Sequence, residues 1–114
     1  MMPVRRALDV SMGVAAAYAG RLLADVGWDV VKVEPPEGDW LRRQPSRWGG
    51  AEGAAFEFVN ARKRSVVATG EDLDALARVA DVVLGDFRPI ALRAMGIDGS
   101  AYERWAPRRA LVSV

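Results

Sequence analysis

Two kinds of segment alternate along this chain. Short β-branched or aliphatic runs bounded by Gly, Pro or Asp predict buried strands, and segments with apolar residues three or four apart predict helices. Their alternation predicts an α/β fold with a parallel sheet and helices on both faces. The predicted strands are 5–11, 29–34, 65–68, 81–85 and 110–114, and the predicted helices are 14–26, 54–60, 70–80, 90–95 and 100–105.

The segment around which the chain is organised is 29–39, which reads DVVKVEPPEGD. Its strand ends at Glu34, because Pro35 and Pro36 can neither donate to a sheet ladder nor continue a helix. The residues that follow therefore lie at the carboxyl edge of the sheet. In open α/β sheets that edge is where ligands bind.

Smaller signals mark the ends of elements and one long loop. Gly27 is in the usual place for a left-handed helix cap, and Thr69 with Asp72 predicts a capping box. The loop 35–53 has no predicted element, and loops of that length are often functional. Its Trp40 and Trp48 either cover a ligand or pin the loop to the body of the domain.

Length and composition limit the function classes. The chain of 114 residues is 51% hydrophobic, which predicts one domain over 1–114 with a single core. Without Cys there are no disulfides or thiolate metal sites, and without His the commonest general base and metal ligand is missing, so we assign no metal. No apolar run is long enough to span a bilayer and no secretory signal is evident, which predicts a cytoplasmic protein. The net charge of +1 favours neither nucleic acid nor membrane as a partner.

The basic residues are unevenly placed. Most are arginines, and two short groups stand out: Arg42, Arg43 and Arg47, then Arg62, Lys63 and Arg64. Guanidinium groups suit phosphate oxygens, so a phosphorylated ligand is one interpretation. A solvated surface in an arginine-rich chain is the other.

Several motifs, in order, carry a resemblance to a known family. They are LLADVGWDVVKVEPPEGD, then F-x-x-x-N-x-x-K-R-S from Phe56 to Ser65, then ADVVLGDFRP and finally APRRALVSV. This series resembles the amino-terminal part of the class III CoA-transferases. That family, CaiB/BaiF, includes formyl-CoA and carnitine-CoA transferases and α-methylacyl-CoA racemases. The resemblance implies a Rossmann-like domain that binds coenzyme A or acyl-CoA, as a substrate, at the carboxyl ends of its strands.

The resemblance also implies the binding residues. Those expected to contact CoA are Asn60, Lys63 and Arg64 beside the nucleotide, Phe87 and Arg88 beside the adenine and a phosphate, and Arg42 or Arg43 in the same channel.

These contacts require a particular arrangement of the strand ends. We expect the tips near Glu34, Ser65 and Asp86 to converge on one opening, so that the neighbouring cations meet the phosphates. The structural alternative for Arg64 and Arg88 is an ion pair with an acid such as Glu34 or Asp86.

Departures from the family pattern are also visible. Ala16 and Ala17 replace a Gly-Pro pair at the first helix, Asp86 replaces an Asn, and Ile90 replaces a Gly. In the family the nucleophilic aspartate of the transferases, and the histidine and aspartate of the racemases, lie downstream of the last strand seen here. The resemblance thus implies a CoA-binding portion that lacks the catalytic residues and is inactive alone.

Two other hypotheses stay open. The chain could be a stand-alone homologue that binds acyl-CoA beside a catalytic partner, or a structural domain that binds no CoA. Members of the family form interlocked dimers through segments outside this chain, so an isolated piece would leave apolar surface uncovered. We therefore expect a homo-oligomer or association with the remaining catalytic part.

Overall fold

A five-stranded parallel sheet forms the centre of the computed structural model. The structure describes residues 3–46, 52–85, 88–106 and 110–113. The strands are β1 (Arg6–Asp9), β2 (Asp29–Glu34), β3 (Arg64–Val67), β4 (Val82–Gly85) and β5 (Ala110–Ser113), in the order β3-β2-β1-β4-β5. The helices are α1 (Val14–Asp25), α2 (Ala54–Val59), α3 (Gly70–Val79), α4 (Pro89–Ala94) and α5 (Ala101–Trp105), with a 3-10 helix at Trp40–Arg43.

Successive strand residues point to opposite faces of the sheet, and each face packs against helices. On one face Leu8, Val33 and Val83 are buried with residues of α3, α4 and α5, among them Leu73, which is fully buried. On the other face Ala7 and Val30 pack with Ala24 of α1, while Ala17 packs with residues of α2. The predicted α/β fold with helices on both faces is confirmed.

The strand β2 has the bounds that the sequence predicts, and Gly27 has a φ of 99°, in the left-handed region that favours glycine. Two local predictions are wrong. The loop 35–53 contains the 3-10 helix, whose first turn is capped by the carboxylate of Asp39. Thr69 is the N-cap of α3, but its side chain makes no capping hydrogen bond, so the predicted capping box does not form.

The strand order reverses at β1, which is paired with β2 on one side and with β4 on the other. Because α1 and α4 lie on opposite faces of the sheet, the chain leaves β1 and β4 in opposite directions. A crevice opens between such diverging connections at the carboxyl ends of the strands. Among the described residues, no helix has the length and apolar character needed to cross a membrane.

Candidate functional site

A cavity of about 360 Å³ occupies the crevice between the ends of β1 and β4. One wall is formed by the connection from β1 into α1, residues 11–16, and the other by Arg88 and α4 residues Ile90, Ala91 and Ala94. Small-molecule sites have volumes from about 300 to 1,000 Å³, so this crevice can hold part of a large ligand. Of the predicted CoA contacts within the described residues, only Arg88 lines it.

The N-terminus of α1 is the second source of positive charge in the crevice, after the guanidinium of Arg88. The helix begins at Val14 after Gly13, and its first turn contains no acidic side chain. Helix N-termini carry a partial positive charge and unpaired N–H groups, which favour anions. The crevice thus combines a guanidinium group with a helix N-terminus.

Lys63 does not extend its ammonium group into this crevice. Its side chain is 1% exposed, and its Nζ donates to Asp9 Oδ2, to the carbonyl of Ala17 and to Asn60 Oδ1, each at 2.7 Å. Burial lowers the pKa of Lys63, while the carboxylate of Asp9 acts in the opposite direction. The expectation that Lys63 meets a phosphate at an open mouth is therefore wrong for this conformation, and Asn60 is held in the same buried group.

A second buried lysine extends this group behind the β1–α1 connection. Lys32 donates to the carbonyl and the hydroxyl of Ser11, and its Nζ lies 3.1 Å from Asp39 Oδ2 and 3.9 Å from Asp9 Oδ1. The contact with Asp39 is Coulombic, since the geometry at Oδ2 is not that of a hydrogen bond. Sequence reasoning missed Asp9, Lys32 and Ser11 as the group behind the site wall. The signal in the sequence was a charged residue inside each of two strands predicted to be buried, and the structure makes Asp9 and Lys32 direct neighbours in the parallel register.

Arg64 lies on the opposite side of the sheet. It is paired in register with Val31, and its guanidinium forms a two-pronged salt bridge to Asp29, at the amino end of β2. With Asp29 it lines a separate cavity of about 260 Å³, next to α3. The prediction that Arg64 and Arg88 share one opening is wrong. The alternative of a structural ion pair is correct for Arg64, although the partner is Asp29 and not Glu34.

Glu34 instead binds Arg42. Its carboxylate accepts from Nε and Nη2 of Arg42 at 2.7 and 2.8 Å, from the Ser65 hydroxyl at 2.8 Å and from the Asp39 amide at 2.9 Å. The hydrogen bond from Arg42 is the main reason that the pKa of Glu34 falls from 4.5 to about 2. Arg42 also stacks on the ring of Phe56, with 3.9 Å between the guanidinium carbon and the ring centroid. Its charge is thus already matched within the domain.

The remaining predicted residues have different outcomes. Arg43 donates to the carbonyl of Glu37 at 3.0 Å on the exposed side of the 3-10 helix. Trp40 donates its indole N–H to the carbonyl of Met12, which pins the loop to the crevice wall. Phe87 lies outside the described residues, as do Asp86 and Trp48.

Comparison with known proteins decides the family. The profile of CoA-transferase family III matches residues 5–114, nearly the whole chain. The chain belongs to CoA-transferase family III. Within it, a succinyl-CoA:mesaconate CoA-transferase of Haloarcula hispanica is 41% identical over 93 residues, which cover 73% of this chain and 24% of that protein. A formyl-CoA:oxalate CoA-transferase of Streptomyces coelicolor is 32% identical over 115 residues, which cover 96% of this chain and 28% of that protein.

Solved structures agree with this assignment. A CaiB/BaiF family protein from Brucella suis superimposes with a TM-score of 0.73 at 30% identity, over 96% of this chain and 32% of that chain. The present chain thus corresponds to the amino-terminal part of longer family III proteins and spans about a quarter of the length of the two curated relatives, 24% and 28%.

Proposed function

We propose that this chain is the CoA-binding portion of a CaiB/BaiF acyl-CoA transferase or racemase, and that the crevice between β1 and β4 receives part of the acyl-CoA. The observation that carries the proposal is the crevice itself. In a chain of this family it lies where the strand order reverses, with Arg88 on one wall and the start of α1 on the other.

Charge and size support this assignment. CoA carries several phosphate charges, and a guanidinium near a helix N-terminus offers charge-assisted hydrogen bonds to one phosphate group. Most of the other lining residues are small or apolar, among them Ala16, Ala91 and Ala94, which suits the uncharged arm of the carrier. At about 360 Å³ the crevice accommodates only a part of CoA, so the remainder lies over the surface.

The chemistry itself depends, in this proposal, on residues beyond those of this chain. The resemblance implies that the nucleophilic aspartate of the transferases lies downstream of the last strand. We therefore expect CoA binding without acyl transfer by this chain alone.

Association with another chain fits the same proposal. Val14, Tyr18 and Leu22 on α1, and Val26 directly after it, recur every four residues and are each at least two-fifths exposed, and Phe58 stacks on Tyr18. An apolar stripe of this kind commonly marks a protein contact. We expect it to be covered by a second copy or by the polypeptide that carries the catalytic part, and analytical ultracentrifugation would detect self-association directly.

Isothermal titration calorimetry with free CoA tests the binding proposal. Arg88→Ala should weaken binding about 10- to 100-fold, the effect of losing one hydrogen-bonded charge. Arg64→Ala is the matched control, because it makes the same chemical change at the opposite end of the sheet and should leave the affinity unchanged. No heat with the unaltered chain, or equal losses in the two variants, would reject the crevice as the CoA site and favour a purely structural domain.

A further inference from the structure

Both lysines of this arginine-rich chain are buried. Of its 16 basic residues only Lys32 and Lys63 are lysines, and each side chain is 1% exposed. We infer that these two lysines are positioning residues, which hold residues 11–17 in place from behind and so set the shape of the crevice wall. The proposal deepens the function proposed above and rests on it for its biological meaning.

Lys63 holds the helical part of the wall. Its three N–H donors have three acceptors at 2.7 Å, one of which is the carbonyl of Ala17, directly after the α1 residues that line the crevice. A lysine ammonium is a compact charge whose three donors rotate freely, whereas a guanidinium is a planar fork. The acceptor set therefore suits lysine and not arginine, although arginine is used almost everywhere else in the chain.

Lys32 holds the loop part of the wall. It donates to the carbonyl and hydroxyl of Ser11, and the amide of Ser11 donates to Asp9 Oδ1 at 2.9 Å. The two oxygens of Asp9 face the two different lysines. Asp9, at the end of the central strand, thus joins both anchors to the sheet.

The space beneath α1 is matched to the lysine side chain. A Cβ added at Gly20 would lie 3.1 Å from both Cε and Nζ of Lys63, closer than side chains ordinarily approach. Gly20 is buried in α1, where glycine costs about 0.5–1 kcal/mol of helix stability relative to alanine. Passage of Lys63 under the helix gives a physical reason for glycine at this position.

Stability alone does not account for such a group. Two ammonium groups and two carboxylates, those of Asp9 and Asp39, are buried together. The desolvation cost of buried ion pairs commonly cancels their Coulomb attraction, so apolar side chains in the same place would stabilise the domain equally well. What the ionic group adds is a fixed geometry for the chain segments that it contacts.

Hydrogen exchange of the unliganded protein, followed by mass spectrometry, tests this inference. Lys63→Met should speed exchange roughly tenfold or more at the hydrogen-bonded amides of residues 11–18, namely Ser11 and the end of the first turn of α1, while β4 keeps its protection. Lys63→Arg should loosen the wall as much as Lys63→Met does. If Lys63 were instead a surface residue that binds phosphate, arginine would replace it and exchange in residues 11–18 would stay slow. Arg104→Met, which breaks the exposed pair with Asp74, is the control and should leave residues 11–18 unchanged.

Two further variants separate positioning from folding. Asp9→Asn combined with Lys63→Met restores the charge balance of the buried group, so part of the lost stability should return while residues 11–18 stay fast to exchange. If Lys63→Met does not fold, Gly20→Ala applies the same test with every charge in place, and it should loosen the wall although alanine favours a helix.

Unchanged exchange in residues 11–18 after these substitutions would overturn the inference, as would full protection in Lys63→Arg. An equal rise in the exchange rate of β4 would show that the lysines stabilise the whole domain, and it would also overturn the inference. Because no CoA is present, this result is independent of whether CoA binds.

Discussion

The pairing of Glu34 with Arg42 makes a definite prediction about acid stability. Glu34 is 5% exposed, and its pKa is lowered from 4.5 to about 2, mainly by the hydrogen bond from Arg42. A lowering of that size corresponds to about 3 kcal/mol between the charged and neutral forms. Because the Arg42 side chain is 46% exposed, solvent screens the pair, and we expect roughly half of that, about 1–2 kcal/mol, in the free energy of unfolding.

The direction in which stability changes with pH follows from proton linkage. The unfolded state binds a proton at Glu34 more readily than the folded state does, so the contribution is complete above pH 4.5 and is lost as the pH falls toward about 2. The assay is urea unfolding of the unaltered chain and of Glu34→Gln between about pH 6 and pH 3. The stability difference between the two should be constant near neutrality and shrink below pH 4.5.

A partner substitution tests the assigned cause. In an Arg42→Met background, which keeps an apolar contact for Phe56, the pH dependence of the Glu34→Gln effect should largely disappear. A difference between Glu34 and Gln that does not vary with pH in the unaltered background would refute the reasoning.

Two further predictions concern the frame that carries the crevice. Leu73→Ala should cost about 2–5 kcal/mol in thermal unfolding, because Leu73 is fully buried beneath the sheet. Leu22→Ala, at a side chain that is 49% exposed, should cost far less. Equal losses in the two variants would contradict the packing described. Gly27→Ala should cost about 1 kcal/mol or more in stability, because Gly27 has a left-handed φ. Gly13→Ala should be nearly neutral, because φ there is −154° and the added Cβ meets nothing. Calorimetric melting of both variants tests this prediction, and equal losses would contradict it.

Local patterns in the sequence were sufficient to predict the frame of the fold. Runs such as Val30–Val33 between Gly27 and Pro35 mark a strand through their own residue types, and the alternation of strands with helices dictates a parallel sheet. The 3-10 helix at Trp40–Arg43 was missed because its cap depends on Asp39, whose amide donates to the carboxylate of Glu34 at the end of β2. That contact depends on how the chain turns between the two residues, which the strand and helix patterns do not specify.

The site was harder to predict, because sequence proximity says nothing about the face on which a side chain lies. Lys63 and Arg64 are adjacent, yet the first contacts Asp9 beneath α1 and the second contacts Asp29 on the α3 side. Neighbouring positions in an extended segment point to opposite faces. Arg88 follows the end of β4 at a distance of three residues and lines the crevice, whereas its predicted contact with CoA stays a prediction.

The most direct test of CoA binding at the crevice is a protection map of the complex. Hydrogen exchange in saturating CoA should slow in residues 11–16 and 88–94, the two walls, and should leave the Arg64 cavity beside α3 unchanged. Slowing confined to the segment around Arg64 and residues 76–80, or no slowing at all, would contradict the account.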